Sequence, residues 1–213
     1  TIRNSFATGT IYAPNADRVG GLVSHNMNNN AKLINCYSRV DITANNYVGG
    51  IAGFDNDSYI TNCYSTGKIT VLGYHSGGLL PYSYFGNIDN SFWDKETSEQ
   101  NTSQGGTGLL SYQMKNRNSF INASWDFVGE SDNGTNDIWG QNCAVNDGYP
   151  FLSWQKFDNL CEAPGETVTN IKTSRVSDNS FKFESLTPVP CGTTGYVAYV
   201  NNEDTWTNPN DGE

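Results

Sequence analysis

Charge and long apolar runs are both scarce in this chain. Charged residues make up 16% of its 213 residues, only 12 are lysine or arginine, and the formal net charge is −10. Because surfaces that bind nucleic acids or anionic membranes are basic, we expect no nucleic-acid partner. No apolar run approaches the ~20 residues of a membrane-spanning helix, and no charged-then-apolar signal pattern opens the sequence.

Signatures of catalysis and metal binding are also sparse. The two histidines, His25 and His75, fit no Ser/His/Asp arrangement, and no Cys-x-x-Cys pair indicates a zinc site. Asp94, Glu96 and Glu99 form the only tight carboxylate cluster, which glycoside hydrolysis would need, although a solvated loop is the interpretation we favour. The run 132–137 lacks the alternating ligands of a calcium loop. We therefore expect no enzyme activity, no cofactor and no metal.

Two short phrases recur along the first half of the chain. The first phrase is spaced by 31, 27 and 28 residues and occupies the segments Ile2–Phe6, Leu33–Tyr37, Ile60–Tyr64 and Ile88–Phe92. The second contains Gly-Gly, is spaced by 29 and 28 residues, and occupies the segments Val19–Leu22, Val48–Ile51 and Ser76–Leu79. A unit of about 28 residues is too short to form its own core, so the units must stack on one another.

The repeat unit favours strands over helices. Gly, Asn, Ser, Thr and Tyr are abundant, and the apolar spacing of helices is missing. Alternation along residues 63–71 turns Cys63, Ile69 and Val71 to one face, which we predict to be inward. The sequence therefore predicts an all-β fold, a parallel β-helix (solenoid) of about three to four coils over residues 1–104, followed by a mixed C-terminal cap over residues 105–157.

Residues 105–213 interrupt the repeat. The capping segment contains one stretch of helical character, Leu109–Asn116, and many aromatic residues, which suit a cover over the exposed last coil. Residues 158–213 contain alternating runs at Ser180–Ser185 and Gly195–Val200 and are similar to the first strands of an immunoglobulin-like or fibronectin type III module. These are fewer residues than the ~100 of such a sandwich, so we predict a partial β-sandwich module.

Equivalent positions of stacked coils lie about 4.8 Å apart and form ladders. One predicted ladder is structural and places asparagine at the same corner of each coil, at Asn4, Asn35, Asn62 and Asn90. Its amides are expected to bond to the neighbouring coils, and asparagine tolerates the left-handed backbone of a tight corner.

A second predicted ladder is aromatic and turned outward, at Phe6, Tyr37, Tyr64 and Phe92. Two interpretations stay open. The rings stabilise one another beneath side loops, or they form a contact surface that receives sugar rings or another protein.

The five cysteines give an odd count. Cys36 and Cys63 occupy equivalent inward positions, where parallel side chains suit disulfide geometry poorly, so we expect two buried free thiols. Cys161 and Cys191 are candidates for a disulfide in an oxidising exterior, with Cys143–Cys161 as the alternative pairing.

Several stretches resemble a known family. The phrases YVGGIAG, ITNCYSTGKIT, SFWDKETSEQNTSQGGTGLLSYQMKN, FINASWDF and NDGYPFL are similar to the GLUG-type repeats of large bacterial surface proteins and their closing segment, over residues 1–157. The third unit departs from the pattern at Ser76 and Pro81. The resemblance implies a parallel β-helix in a secreted or surface-anchored adhesin-like protein, exported by the secretion machinery of the outer membrane.

The sequence as a whole predicts a non-catalytic extracellular fragment of an adhesin-like protein, with both ends cut from a longer polypeptide. It would serve as a rigid spacer and contact surface for a protein or glycan of a host or neighbouring cell, with variable loops after Val23, Phe54 and Tyr74 giving recognition. The alternative function is a polysaccharide-processing β-helix enzyme, a lyase or glycosidase.

Overall fold

The structure is a computed structural model that describes residues 1–28, 30–157, 171–177 and 180–185. The chain divides into two compact units, Thr1–Leu160 and Cys161–Glu213. The first unit is a β-solenoid of about three turns, built from three parallel sheets that we name A, B and C.

Each sheet takes one side of every coil. Sheet A contains the strands β1 (Ile2–Arg3), β4 (Lys32–Ile34), β7 (Tyr59–Thr61) and β12 (Asn87–Asp89). Sheet B contains β2 (Phe6–Gly20), β5 (Tyr37–Gly49), β8 (Tyr64–Ser65), β9 (Ile69–Val71), β10 (Ser76–Gly77), β13 (Phe92–Asp94) and β14 (Thr107–Leu109). Sheet C contains β3 (Val23–Met27), β6 (Ala52–Asn56) and β11 (Ser83–Tyr84).

The strand register confirms the repeat alignment made from the sequence. In sheet A the partners run Ile2, Leu33, Ile60 and Ile88, and in sheet B they run Phe6, Tyr37, Tyr64 and Phe92. The Gly-Gly phrase aligns in the same way, through Val19, Val48 and Ser76. The third coil is the least regular, because its strands in sheets B and C shrink to two or three residues.

A thin core fills the coils. Leu33, Ile60 and Leu79 are fully buried, and Val40, Ile42 and Ile69 form a second inward cluster beneath sheet B. These aliphatic side chains fill the interior of the coils by close packing.

Two cysteines belong to the same interior. Cys36 and Cys63 are buried free thiols, as the sequence predicted. The Cys63 thiol donates to Thr61 O at 3.3 Å, and the Cys36 thiol donates to Ile34 O at 3.2 Å. Burial raises the pKa of Cys63 well above its usual value, while a hydrogen bond with the Cys63 side chain lowers the pKa of Cys36.

The repeated asparagine at the coil corner is explained by its backbone conformation. Asn4, Asn35, Asn62 and Asn90 all adopt left-handed backbones, with φ between 46° and 53°. Their backbone N–H groups continue the ladder, since Asn35 N donates to Thr61 O at 3.0 Å. The predicted bonds from these side-chain amides to the neighbouring coils do not form among the described residues, and the buried Oδ1 of Asn62 accepts no hydrogen bond. Asparagine recurs because few other residues tolerate this backbone.

This account makes a prediction for Asn62. A left-handed conformation costs leucine about 1–2 kcal/mol, so Asn62→Leu is expected to lower the denaturant midpoint of unfolding. Asn62→Gly should have a midpoint close to that of the parent chain, because glycine adopts this conformation readily. Asn118→Leu is the matched control, because Asn118 is exposed in a helix and its substitution should stay within about 0.5 kcal/mol. If Asn62→Gly lost as much stability as Asn62→Leu, the amide and not the backbone would be essential.

After the third coil, β14 adds one more strand to sheet B beside β13. The short helix α1 (Lys95–Ser98) lies between these two strands. The helices α2 (Ser111–Met114) and α3 (Arg117–Ile121) follow β14, and 3₁₀ turns lie at Asn146–Gly148 and Ser153–Gln155. The strands β15 (Trp139–Gly140) and β16 (Phe151–Leu152) pair antiparallel.

We name residues 110–157 the cover. The prediction of a cap over the last coil is corrected, because this segment extends beyond the last coil. The cover folds back across the outer face of sheet B and reaches the first coil, where Trp154 Nε1 donates to Asn4 O at 3.0 Å. The reason is the distribution of apolar surface. A row of aromatic side chains runs along sheet B through all the coils, and burying it stabilises more than covering one terminal edge.

In the second unit the described residues form one antiparallel pair, β17 (Ile171–Ser177) and β18 (Ser180–Ser185). The predicted partial sandwich over residues 158–213 otherwise lies outside the described residues. The candidate disulfide Cys161–Cys191 also lies outside the described residues, as does Cys161 of the alternative pairing Cys143–Cys161.

Candidate functional site

The predicted aromatic ladder forms a stack on sheet B. The ring centroids of Phe6 and Tyr37 lie 5.1 Å apart with planes 13° apart, and those of Tyr37 and Tyr64 lie 5.0 Å apart with planes 3° apart. These spacings match the separation of adjacent coils. The stack therefore contributes a repeating side-chain contact along the solenoid.

The cover closes this stack. Tyr37 is 1% exposed, Tyr64 0% and Phe92 7%, and only Phe6, at 38%, keeps an accessible edge. The buried rings that pack on the stack belong to Phe120, Trp125, Trp139 and Tyr149. Of the two open interpretations, the structure supports the first, in which the stacked rings are buried beneath other parts of the chain. The contact surface proposed at Tyr37, Tyr64 and Phe92 is thus corrected to an internal interface.

Polar contacts fix the buried tyrosines in place. Tyr64 OH donates to Pro150 O and accepts from Asn146 Nδ2 at 2.9 Å, and Tyr37 OH donates to Gln155 Oε1 at 3.1 Å. Burial raises the pKa of both phenols, most strongly that of Tyr64. Each hydroxyl is satisfied within the protein, so neither is available as an acid or a ligand group.

An ion pair fastens the edge of the cover to the second coil. Arg39 Nη1 donates to Asn146 Oδ1 at 2.7 Å, and Arg39 Nη2 pairs with the Asp147 carboxylate. The hydrogen bond from Arg39 and its charge lower the pKa of Asp147. The charge of Arg39 therefore joins the second coil to the cover.

The carboxylate at the centre of the acidic cluster is buried, which corrects the solvated loop that we favoured. Asp94 is 0% exposed and caps α1, where its Oδ1 accepts from the N–H groups of Glu96 at 2.9 Å and Thr97 at 3.1 Å. Ser111 Oγ donates to the same oxygen at 2.9 Å, and Tyr149 OH donates to Oδ2 at 2.6 Å. Burial and this contact with a carboxylate raise the pKa of Tyr149.

The other two acids point elsewhere. Glu96 Oε2 accepts from Ser111 N at 2.7 Å, and the exposed Glu99 pairs with Lys68 Nζ at 2.7 Å. Each of the three carboxylates is engaged by a different set of protein donors. The cluster therefore holds the start of the cover against the last coil.

Backbone N–H groups of the calcium-like run 132–137 donate to carboxylates outside the run, while Asp132 and Asp137 are exposed. Asp126, outside the run, accepts from the N–H groups of Asn136 at 2.9 Å and Asp137 at 3.1 Å. Glu130 Oε2 accepts from the N–H of Asp132 at 3.0 Å. No group of three or more metal-ligating side chains occurs in the part of the chain that the structure describes.

Sheet C carries a second aromatic row that the sequence reasoning missed. Phe54 stacks on Tyr82 with centroids 5.8 Å apart and planes 12° apart, and Tyr82 stacks on Tyr84 at 6.4 Å and 16°. His25 lies 5.9 Å from Phe54 at the other end, and Phe85 makes a 4.5 Å edge contact with Tyr84. We name these five residues the sheet C row.

The sheet C row differs from the sheet B stack in exposure. Phe85 is 81% exposed, Tyr84 52% and Tyr82 37%, and Phe54 is partly exposed.

The prediction of variable loops after Val23 and Phe54 is wrong, because these two residues lie within the strands β3 and β6. Stacking of coils makes strands there, since each backbone group finds a partner one coil away.

A neighbouring corner extends this aromatic surface. Arg18, Tyr47 and His75 have left-handed backbones at the turn that precedes each Gly-Gly. Tyr47 stacks on His75 at 4.9 Å, and the Arg18 guanidinium lies 5.5 Å from the centroid of Phe54. Arg18 therefore connects the corner to the sheet C row.

The spacing of residues within the repeat indicates this row. His25, Phe54 and Tyr82 each stand four residues after the second glycine of Gly-Gly. Aligning the sequence on that phrase alone places a ring or an imidazole at the same position in three coils. This constant spacing has no meaning if the residues after Phe54 are taken as a variable loop.

Comparison with known proteins finds a known repeat motif and a much longer relative. The GLUG motif matches residues 15–43 and 44–70, which cover the later part of the first coil, the second coil and the start of the third. A putative Gly-rich membrane protein from Evansella cellulosilytica is 27% identical over 151 residues, covering 70% of this chain and 13% of that protein. The chain thus spans about an eighth of that relative's length. No solved structure matches the chain.

None of the helices in the described ranges is long and apolar enough to cross a membrane. What the comparisons and the fold together establish is a chain with GLUG repeats, wound as a β-solenoid and similar to part of a much longer protein described as a membrane protein.

Proposed function

We propose that residues 1–157 act as a rigid, non-catalytic contact module of a bacterial cell-surface protein of adhesin type. The observation that carries the proposal is the contrast between two aromatic rows. The row on sheet B is sealed by the cover, whereas the row on sheet C has exposed rings. Exposed aromatic side chains in a contiguous row are typical of binding surfaces.

The rigidity of the module supports the same proposal. Backbone hydrogen bonds join successive coils in all three sheets, and the cover bonds to the first coil, the second coil and strand β13 through Trp154, Arg39 and Asp94. A surface on such a scaffold keeps its geometry without a partner, so binding loses little conformational entropy.

The partner that we propose is a glycan or protein of a host or neighbouring cell. Location outside the cell, and export by the secretion machinery of the outer membrane, are part of this proposal and rest on the resemblance to bacterial surface proteins. The relative's description as a membrane protein supports a location at the cell surface.

The alternative, a polysaccharide lyase or glycosidase, receives no support from the carboxylates. Glycoside hydrolysis needs an acid and a base on either side of one bond, and Asp94 is buried with all its contacts made by the protein.

One paired experiment separates the two functions. The chain is screened against an array of glycans and bacterial and host surface proteins, and the same glycans are assayed for release of reducing ends and of unsaturated products. We expect retention of at least one ligand class and no release. Cleavage that persists after repeated purification would overturn the proposed function and favour the enzyme.

A further inference from the structure

We infer that the sheet C row, together with Arg18, is a binding site for an anionic polysaccharide that contains uronic acid. The inference rests on the proposed function and names the ligand class and the residues. It is carried by the shape of the row, by the charge beside it and by the way the coil corner holds Arg18.

The shape of the row fits a linear chain of sugar rings. Phe54 and Tyr82 lie on adjacent coils with ring centroids 5.8 Å apart, and Tyr84 lies 6.4 Å from Tyr82 on the same coil. The planes are nearly parallel, so the exposed rings form a narrow ribbon that turns at Tyr82. Stable protein interfaces instead bury a broad patch with a desolvated centre. A ribbon of rings with two tyrosine hydroxyls offers apolar contact and hydrogen bonding at successive sugar units.

The charge beside the row favours an anion. Arg18 lies over Phe54, and the two ion pairs among the described residues use Arg39 and Lys68, so Arg18 has no carboxylate partner there. A guanidinium recognises a carboxylate through two parallel hydrogen bonds. An acidic sugar would supply the partner that Arg18 lacks.

The one acidic residue within the strands of sheet C is buried, whereas the exposed Asp57 follows β6, and its N–H donates to Tyr84 O at 2.8 Å. Asp55 is the only acidic residue in β3, β6 and β11, and it is 0% exposed. Ser83 Oγ donates to its Oδ2 at 2.7 Å, and Asn26 Nδ2 donates to its Oδ1 at 3.2 Å. The carboxylate is directed inward, so the ribbon between Arg18 and Tyr84 displays no negative charge from its own strands.

The corner holds the arginine beside the ribbon. Ser24 Oγ donates to Arg18 O at 2.6 Å and lies 2.9 Å from His25 Nδ1. These contacts join the backbone of Arg18 to the first residue of the row. The backbone from which the Arg18 side chain extends is thus fixed beside the rings before any ligand arrives, which lowers the entropy cost of binding.

Calorimetric titration tests the inference with two oligosaccharides of equal length, an oligogalacturonate and a neutral cello-oligosaccharide, at 0.15 M salt. We expect the oligogalacturonate to bind more tightly. The double substitution Tyr82→Ala and Tyr84→Ala should weaken its binding at least tenfold. Arg18→Gln should remove the preference for the acidic sugar while leaving the weaker neutral binding unchanged.

Tyr112→Ala is the matched control, because Tyr112 is 54% exposed and lies on the cover. Its binding should equal that of the parent chain, and denaturant midpoints verify that all variants fold. Equal loss in Tyr112→Ala and in the double variant, or no binding of the oligogalacturonate, would overturn the inference. Binding of neutral glycans or of a protein partner that the sheet C substitutions do not affect would overturn it too, while leaving the proposed contact function intact.

Discussion

Replacing Trp125 with alanine is expected to lower the free energy of unfolding by about 3–5 kcal/mol, the usual cost of removing a large buried aromatic side chain. Trp125 is 0% exposed and lies 4.4 Å from Trp139 and 4.8 Å from Phe120, measured between ring centroids. Its Nε1 donates to Asn90 O at 2.8 Å, at the asparagine corner of the last coil. The substitution therefore loosens the cover and removes a contact of the corner at once.

Urea titration measures this effect, with Tyr112→Ala as the control. Tyr112 is exposed on the same cover, so its loss should change stability by about 0.5 kcal/mol or less. A small effect of Trp125→Ala would mean that the cover is not packed on sheet B. A two-step transition in that variant alone would show that the cover detaches before the coils unfold.

Replacing Asp94 with alanine is expected to lower the free energy of unfolding by about 3 kcal/mol. Loss of an N-cap costs about 1 kcal/mol, and each buried partner left unsatisfied costs about 1–3 kcal/mol. The partners here are Tyr149 OH and Ser111 Oγ. Asp94→Asn should have a smaller effect, because an amide oxygen still accepts at the cap and its NH₂ group can donate to the phenol.

The matched control for Asp94 is Glu99→Ala. Glu99 pairs with Lys68 at the surface, where both side chains are more than half exposed and such a pair contributes about 0–1 kcal/mol. Thermal and urea unfolding of the two variants give the comparison. Equal stability of Asp94→Ala and the parent chain would contradict the buried network, and would restore the solvated loop that the sequence favoured.

The coil register was predictable because it depends on short-range patterns. The phrases at Leu33 and Ile60 mark the same turn of the backbone, and alternation from Cys63 to Val71 separates inward from outward side chains. Left-handed corners add to the signal, since asparagine is one of the few residues that adopt that conformation readily. Local chemistry was sufficient for these features.

The cover was not predictable in the same way. Alternation shows that Tyr37 and Tyr64 turn outward, but it carries no information on what lies beyond them. The partners of Tyr64 at Asn146 and Pro150 are more than 80 residues away in the sequence. Contacts of this kind depend on the path of the chain after β14, which no repeat encodes.

The burial of Asp94 was missed for a related reason. In the sequence it stands beside Glu96 and Glu99, and that neighbourhood is typical of a solvated turn. Its burial depends on Tyr149, 55 positions further along the chain. The sheet C row, in contrast, was within reach of the sequence, because its spacing from Gly-Gly is constant in three coils.

The central claim is that successive coils stack in register and that the cover seals their aromatic row. Nuclear Overhauser contacts between aromatic rings in solution test it most directly. The structure predicts cross-peaks between the rings of Tyr37 and Tyr64, 27 residues apart, and between Tyr64 and Trp139 of the cover. Cross-peaks between Tyr37 and Tyr64 without any to Trp139 would contradict the cover, and the absence of both would contradict the coil register itself.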